Sequence, residues 1–355
     1  MNRVRILLAF MLIGLLSAST VFASQGVIPV SELKPAVPLE KPQLTGVGGK
    51  LILSDSPESF TNQGAFYRDS VSDSFRVFWH HQNAGNETVT VAVAVTNESE
   101  EAVQLFTEGS GVGTSYYVDV AGQDALADFM ASNFNKQFLT TLAPGESYYI
   151  ESPTAPTYTN SGIAQFLAKT KKGNRPAAVT VTVLNYKDRP DNPVTVPVLP
   201  GDSHTRGTFP HYDRVGTLKY NTAMGNALIR ISSAESGQWS DKMPGEYETG
   251  YNAVDGGSVV NNGNYGVMYR FQVVIENGHH HPRAVTLYHN PSGGFGHYVV
   301  KWGNRLKLSD FITYEQAWPF ADFILGANGN TYKSEISLTG GAPGPHVIYF
   351  TNRDK

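Results

Sequence analysis

The residues best suited to chemistry in this 355-residue chain are its ten histidines. Cysteine is absent, so a metal would have to be held by imidazole and carboxylate, and thiol catalysis and disulfides are excluded. His279, His280 and His281 fall in a predicted hairpin turn, His289 follows the return strand and His297 begins the next; His80 and His81 follow Trp79 far upstream. Neighbouring side chains on an extended chain point to opposite faces, so a site needs imidazoles from different backbone positions. His279 or His281 meeting His289 across the hairpin, with His297 close by, would suit Zn²⁺ or Cu²⁺. The spacing matches neither HExxH nor the HxH-plus-Glu arrangement of a cupin. The plainer alternative is an exposed polar turn.

Other candidates are weaker. Ser203-His204 and His211-Tyr212-Asp213 contain triad residue types, but no GxSxG elbow accompanies them. A polar segment packed against two domains explains them as well. Asp55, Glu58, Glu98, Glu100, Glu101, Asp241, Glu246 and Glu248 sit in turn-like contexts. Glycoside hydrolysis needs two carboxyls facing each other at roughly 5 to 10 Å, and the linear sequence pairs none, so a secreted glycan hydrolase is a minor reading. Aromatics near Gly, Asn and Asp suit stacking on sugar rings: Trp239, Tyr251, Tyr265, Trp302 and Trp318 are the ligand-binding candidates, beside Tyr116-Tyr117 and Tyr148-Tyr149. Strand cores also favour aromatics. Asn290–Gly296 and Gly340–Pro345 are glycine-rich, but neither precedes a helix, so they read as tight turns rather than phosphate cradles.

The elements that must position these residues are strands. Arg3 and Arg5, the apolar run Ile6–Leu16 and the small residues of Val21-Phe22-Ala23 form a signal peptide over 1–23. The run is too short to span a bilayer, which takes roughly 20 residues, and no later segment is long and apolar enough. Residues 24–43 carry Pro29, Pro35, Pro38 and Pro42 and read as an extended tether. Residues 44–189 form a first domain, with alternating strands at Thr88–Thr96 and Val179–Leu184 and helices at Gln123–Asn133 and Gly162–Lys171. A Pro-rich linker covers 190–203. Residues 204–355 form a second domain of strands separated by Gly/Asn-rich turns, with a short helix within Phe311–Leu325. The expected fold class is all-β: two β-sandwiches, immunoglobulin-like or jelly-roll-like, with minor helical insertions. VAVAVTN-ESEE-AVQLFTEGSG from Val91 aligns with FQVVIEN-GHHHPR-AVTLYHNPSGG from Phe271, a weak internal repeat.

Several segments carry a resemblance: QGAFYRDSVSDSFRVFWHHQN from Gln63, VTN at Val95, HTRGTFPHYDR from His204, GNYGVMYRF from Gly263, NPSGG from Asn290 and PGPHVIYF from Pro343. In these the chain resembles a group of exported two-domain β proteins of Gram-positive, spore-forming bacteria. Some members carry a stalk like the N-terminal module of copper amine oxidases. That stalk is absent here, and Asn185-Tyr186-Lys187 departs from the context in which the amine oxidase quinone forms. The resemblance implies export and envelope association and brings no site residues.

The net charge of −4 becomes −6 once Arg3 and Arg5 are removed, which argues against sequence-independent nucleic-acid binding. The reading is a secreted or cell-wall-associated binding or structural protein, more a binder than an enzyme. Its partner would be a wall or surface polysaccharide or a surface protein, without membrane insertion after signal cleavage. The alternative is divalent metal binding, Zn or Cu, through His279, His281, His289 and His297. Otherwise no cofactor is expected.

Overall fold

The computed structural model describes residues 26–132 and 134–355; the signal-peptide reading falls outside them. Strand accounts for 52% and helix for 7%, and the fold is all-β. Two large apolar clusters fill the interior, and the larger spans both halves through Leu51, Leu53, Phe78 and Ile163. The smaller gathers Phe75, Val77, Trp79, Val93, Phe166 and Val181. The larger gathers Phe271, Val273, Val285, Leu287, Ile348 and Phe350.

The first half is organised by the 20-residue strand Gly64–Asn83. Its beginning pairs with Ala178–Tyr186, and from Asp73 onward it pairs with Thr159–Thr170. Asp73 sits at the change of partner with φ +65°, a left-handed conformation that Asp tolerates better than most residues. Val89–Thr96 lies between Ser147–Thr154 and Ala178–Tyr186 in one layer, and Val103–Ser115 pairs with Thr159–Thr170 and Gln137–Leu142 in the other. The second half repeats the two-layer plan. Arg283–Asn290 lies between Gln316–Leu325 and His346–Asp354. Met268–Glu276 lies between Asp213–Asn221 and Asn330–Ile336.

Several sequence expectations change. Of the tether expected over 24–43, the described residues 26–43 are not free. Ile28–Pro29 pairs with Gln316-Ala317, Val37–Pro38 pairs with Ala227-Leu228, and Leu33, Leu39 and Leu44 are buried. The prolines do forbid a central strand; Pro29 and Pro38 sit where proline is tolerated, on two-residue edge strands, and Pro35 and Pro42 lie outside the strands. Thr45–Val47 also joins the second half, whereas Lys50–Ser54 and Arg206–Phe209 pair within the first. The boundary proposed for 190–203 is therefore crossed in both directions. The linker itself is fastened to the first half: Leu199 N–H donates to Ala65 O, and Arg68 donates to Pro193 O and Val196 O.

Gly162–Lys171 is strand, not helix. Its first eight strand residues, from Thr159, are all buried, and a strand buried on both faces loses the alternation that identifies it. Phe311–Leu325 is also extended; Pro319 is accommodated at a register shift opposite Leu287-Tyr288. The helix at 123–133 does form, as Val118–Ala131, and buries Ala125, Leu126, Phe129 and Met130. Leu126, Phe129 and Met130 belong to the larger cluster, which holds the second half's Phe271 and Ile348, so the helix bridges the halves. Gln123 Nε2 completes the joint by donating to Tyr298 O and Ser309 O at 3.0 and 2.9 Å.

Candidate functional site

Two strand registers assemble a polar cluster between the halves. Lys50–Ser54 runs parallel to the long strand with Ser54 opposite Trp79, so the following Asp55 lies beside His80. Arg206–Phe209 runs antiparallel with Arg206 opposite Ser54, and Asp55 N–H donates to Thr205 O, which brings His204 alongside. Glu58 and His204 pair at 2.9 Å, and His204 also meets Asp202 at 3.1 Å. Asp202 accepts from Ser56 Oγ, Glu58 N–H and His204 N–H at 2.8–3.0 Å. Asp55, Glu58, His80 and His204 line a cavity of about 190 Å³, closed on the far side by Tyr265 and Gly340-Gly341. A Cβ at Gly340 would stand 2.8 Å from His80 Nδ1, so only glycine allows this approach. Burial holds the Asp55 carboxyl well above the usual carboxylate range, and the charges of Glu58 and Asp202 add to it. Burial pushes His80 down to about 4, helped by the charge of His204.

The cavity adjoins a groove of about 780 Å³, with Tyr265 and Pro343 lining both. Trp239 stands at the groove's lip, 72% exposed. Its loop is anchored by Glu246, a fully buried carboxylate that accepts from Ser232 N–H and Met243 N–H at 2.7 Å and from Tyr269 Oη at 2.8 Å. The opposite wall comes from the two glycine-rich turns. Gly293 lies so close to Gly344 that a Cβ would meet its carbonyl oxygen at 1.8 Å. Arg230, Gln238, Asp241 and Asn262 supply polar groups.

Of the five aromatic candidates the structure brings Trp239 and Tyr265 together. Tyr251 is exposed on the separate strand Thr249–Tyr251. Trp302 is stacked on Tyr332 at 5.0 Å and on Phe323 at 6.0 Å. Trp318 packs against Phe320 and His289. Both are partly buried packing residues.

The four metal candidates do not converge. The segment His279–His281 is no hairpin turn, because Met268–Glu276 and Arg283–Asn290 enter different sheets. His281 precedes the strand Arg283–Asn290 and His289 lies near its far end, six strand residues or about 20 Å beyond Arg283 at ~3.3 Å per residue. His281 pairs with Asp354 and His297 with Asp119, each at 2.8 Å. His279 has its ring 5.7 Å from that of His281. His289 is buried against His346 and Tyr298, with ring centres 4.5 and 4.4 Å away. Among the described residues no group of three or more His, Asp or Glu could hold a metal ion.

The triad types dissolve into ion pairs. His211 meets Glu248 at 2.8 Å, and Tyr212 Oη lies 3.0 Å from Ser74 Oγ. Asp213 is held by the fully buried Arg76 and by Arg270, at 2.8 and 2.7 Å. Arg76 also donates to Tyr212 O, Gly266 O and Gln165 Oε1, which makes it a clamp between the halves. Asp55 and Glu58 were visible in the sequence only as scattered carboxylates; what joins them to His80 is the pairing of strands distant in sequence.

No family model matches the chain, and no curated protein matches it. Among solved structures it is similar to the tandem CBM22-1–CBM22-2 domain of Paenibacillus barcinonensis Xyn10C, with 10% identity, 91% of this chain and 100% of that chain covered, and a TM-score of 0.15. The CUB1-EGF-CUB2 domain of human MASP-1/3 matches with 10% identity over 81% and 99%, at 0.18. A Paenibacillus xanthan lyase matches with 8% identity over 89% and 27%, at 0.18. With scores this low, the site reading rests on this chain's own geometry.

Proposed function

We propose that the chain is an exported, envelope-associated binding protein and that the groove beneath Trp239 recognises a glycan. One observation carries this reading: an indole 72% exposed at the lip of a groove fringed by side-chain donors and acceptors. An exposed indole offers a broad flat apolar face with a polar N–H at its edge, a shape on which a ring can stack. A sugar ring offers an apolar face to the indole and hydroxyls to the polar fringe. Glu246 supports the reading, because a buried carboxylate tying down both ends of the loop pre-organises the indole and lowers the ordering cost of binding. Among the described residues no helix is long and apolar enough to cross a membrane.

Retention of the chain on purified cell wall and on immobilised polysaccharides tests the proposal. The intact chain should be retained on at least one matrix, and Trp239→Ala should pass through. Equal retention of both would remove the groove from consideration, and no retention of either would end the glycan reading.

A further inference from the structure

We infer that the cavity at the inner end of the groove binds a protonated primary amine, of the class carried by a hexosamine with a free amino group. The inference rests on the glycan reading and names what that ligand would place at the groove's end. Tyr265 and Pro343 line both spaces, so a chain lying in the groove can reach the cavity.

The cavity presents acceptors without a matching cation. Asp55 and Glu58 line it, and no Lys or Arg is among its lining residues. His204 lies at its edge, where Glu58 and Asp202 already hold it. His80 is 2% exposed, and neither ring nitrogen has a hydrogen-bond partner. A buried imidazole with both nitrogens idle is uncommon, because buried polar groups are ordinarily satisfied. An ammonium group brings three donors and no acceptor. It would satisfy the free nitrogen of His80 while supplying charge to the carboxyls. A neutral hydroxyl would satisfy His80 but leave the carboxylate charge uncompensated. Although several His and carboxyl groups border the cavity, among the described residues no three are placed to hold a metal ion together.

The groups facing Asp55 are Glu58, Asp202, His80, His204 and Tyr265. Burial, with the charges of Glu58 and Asp202, holds its carboxyl well above the usual carboxylate range. An arriving ammonium favours the ionised form, so binding should expel a proton from Asp55.

Titration calorimetry on the whole chain decides the matter, with a glucosamine oligosaccharide and its N-acetylated counterpart of equal length in two buffers of different ionisation heat. The amine form should bind about tenfold tighter, the scale of one charge-assisted hydrogen bond, with buffer-dependent heat. Asp55→Asn and Glu58→Gln should each remove the preference, whereas Trp239→Ala should weaken both oligosaccharides alike. Equal affinity for the two, or a preference that survives Asp55→Asn, overturns the inference. If the intact chain binds neither, the glycan reading fails. The cavity is then judged by the His80 ring resonances under free glucosamine and glucose. A shift with glucosamine alone supports an amine site, and no shift with either rejects it.

Discussion

The turn after Val89–Thr96 and the turn after Met268–Glu276 are built alike, though almost nothing in their sequences agrees. Asn97 Nδ2 donates to Glu101 O and Leu142 O at 3.0 and 3.1 Å, and its Oδ1 accepts from Ser99 N–H at 3.0 Å. Asn277 Nδ2 donates to His281 O and Gly326 O at 2.9 and 3.1 Å, and its Oδ1 accepts from His279 N–H at 3.0 Å. The second acceptors sit one residue out of step, since Val103 pairs with Leu142 itself whereas Arg283 pairs with Leu325, the residue before Gly326. Each asparagine thus fastens an arch that carries the chain from one sheet to the other. The repeat noticed in the sequence is a repeat of this arch, and Asn is common to both copies because its amide both donates and accepts.

What differs is the segment inserted between the second and third strands of each unit. In the first half it contains the helix Val118–Ala131; in the second it contains the short strands from Phe295 to Thr313. These insertions meet, through His297 on Asp119 and Gln123 on Tyr298 and Ser309. The frame is common to the halves, and the joint beside the site comes from what the frame does not specify.

The largest expected effect is acid lability, shared between the halves. Each contains two buried imidazoles: His80 and His81 in the first, His289 and His346 in the second. Burial pushes His81 and His346 down to about 3, His80 to about 4, and His289 well below the ordinary value. The unfolded chain takes up these protons near pH 6.5 and the folded chain does not. Stability is therefore present above pH 6.5 and lost as pH falls below it, by about 1.4 kcal/mol per pH unit for each histidine. Urea unfolding at pH 7, 6 and 5 should show this slope, and His289→Phe with His346→Phe should reduce it by about half. A flat profile would contradict neutral burial.

Next comes the clamp between the halves. Arg76→Leu removes a partner of Asp213 and should cost about 3–5 kcal/mol in denaturant unfolding, whereas Lys187→Ala, at an exposed ion pair with Glu87, should change stability by less than about 1 kcal/mol. Comparable losses would deny Arg76 its role. The arch asparagines follow. Asn97→Ala and Asn277→Ala each strand backbone groups and should cost about 1–3 kcal/mol, more at Asn97, which is fully buried, than at Asn277, which is partly exposed. A cost at only one would break the equivalence of the arches. Smallest of all, Trp239→Ala should move stability by no more than about 0.5 kcal/mol while abolishing retention on glycan. A large loss of stability would make Trp239 a packing residue.

Much of the frame was legible in the chain. The alternation at Thr88–Thr96 and Val179–Leu184 marks strands because the valines, two residues apart, all enter the smaller apolar cluster, and the apolar stripe of Ala125, Leu126, Phe129 and Met130 marks the helix because it is buried. The strand Thr159–Thr170 was not legible, since burial on both faces erases the period. Nor was the place of residues 24–43: prolines state where a central strand cannot be, not which edge will accept them.

The sequence by itself determined the absence of thiol chemistry, the all-β class and the arch repeat, because composition, side-chain period and turn residues act over a few positions. Only the tertiary structure decided which polar residues meet. It parted His281 from His289 by placing one before the strand Arg283–Asn290 and the other near its far end. It joined Asp55 to His80 through a parallel register and to His204 through an antiparallel one. Registers are set by burial across whole sheets, and no local stretch of the chain contains that information.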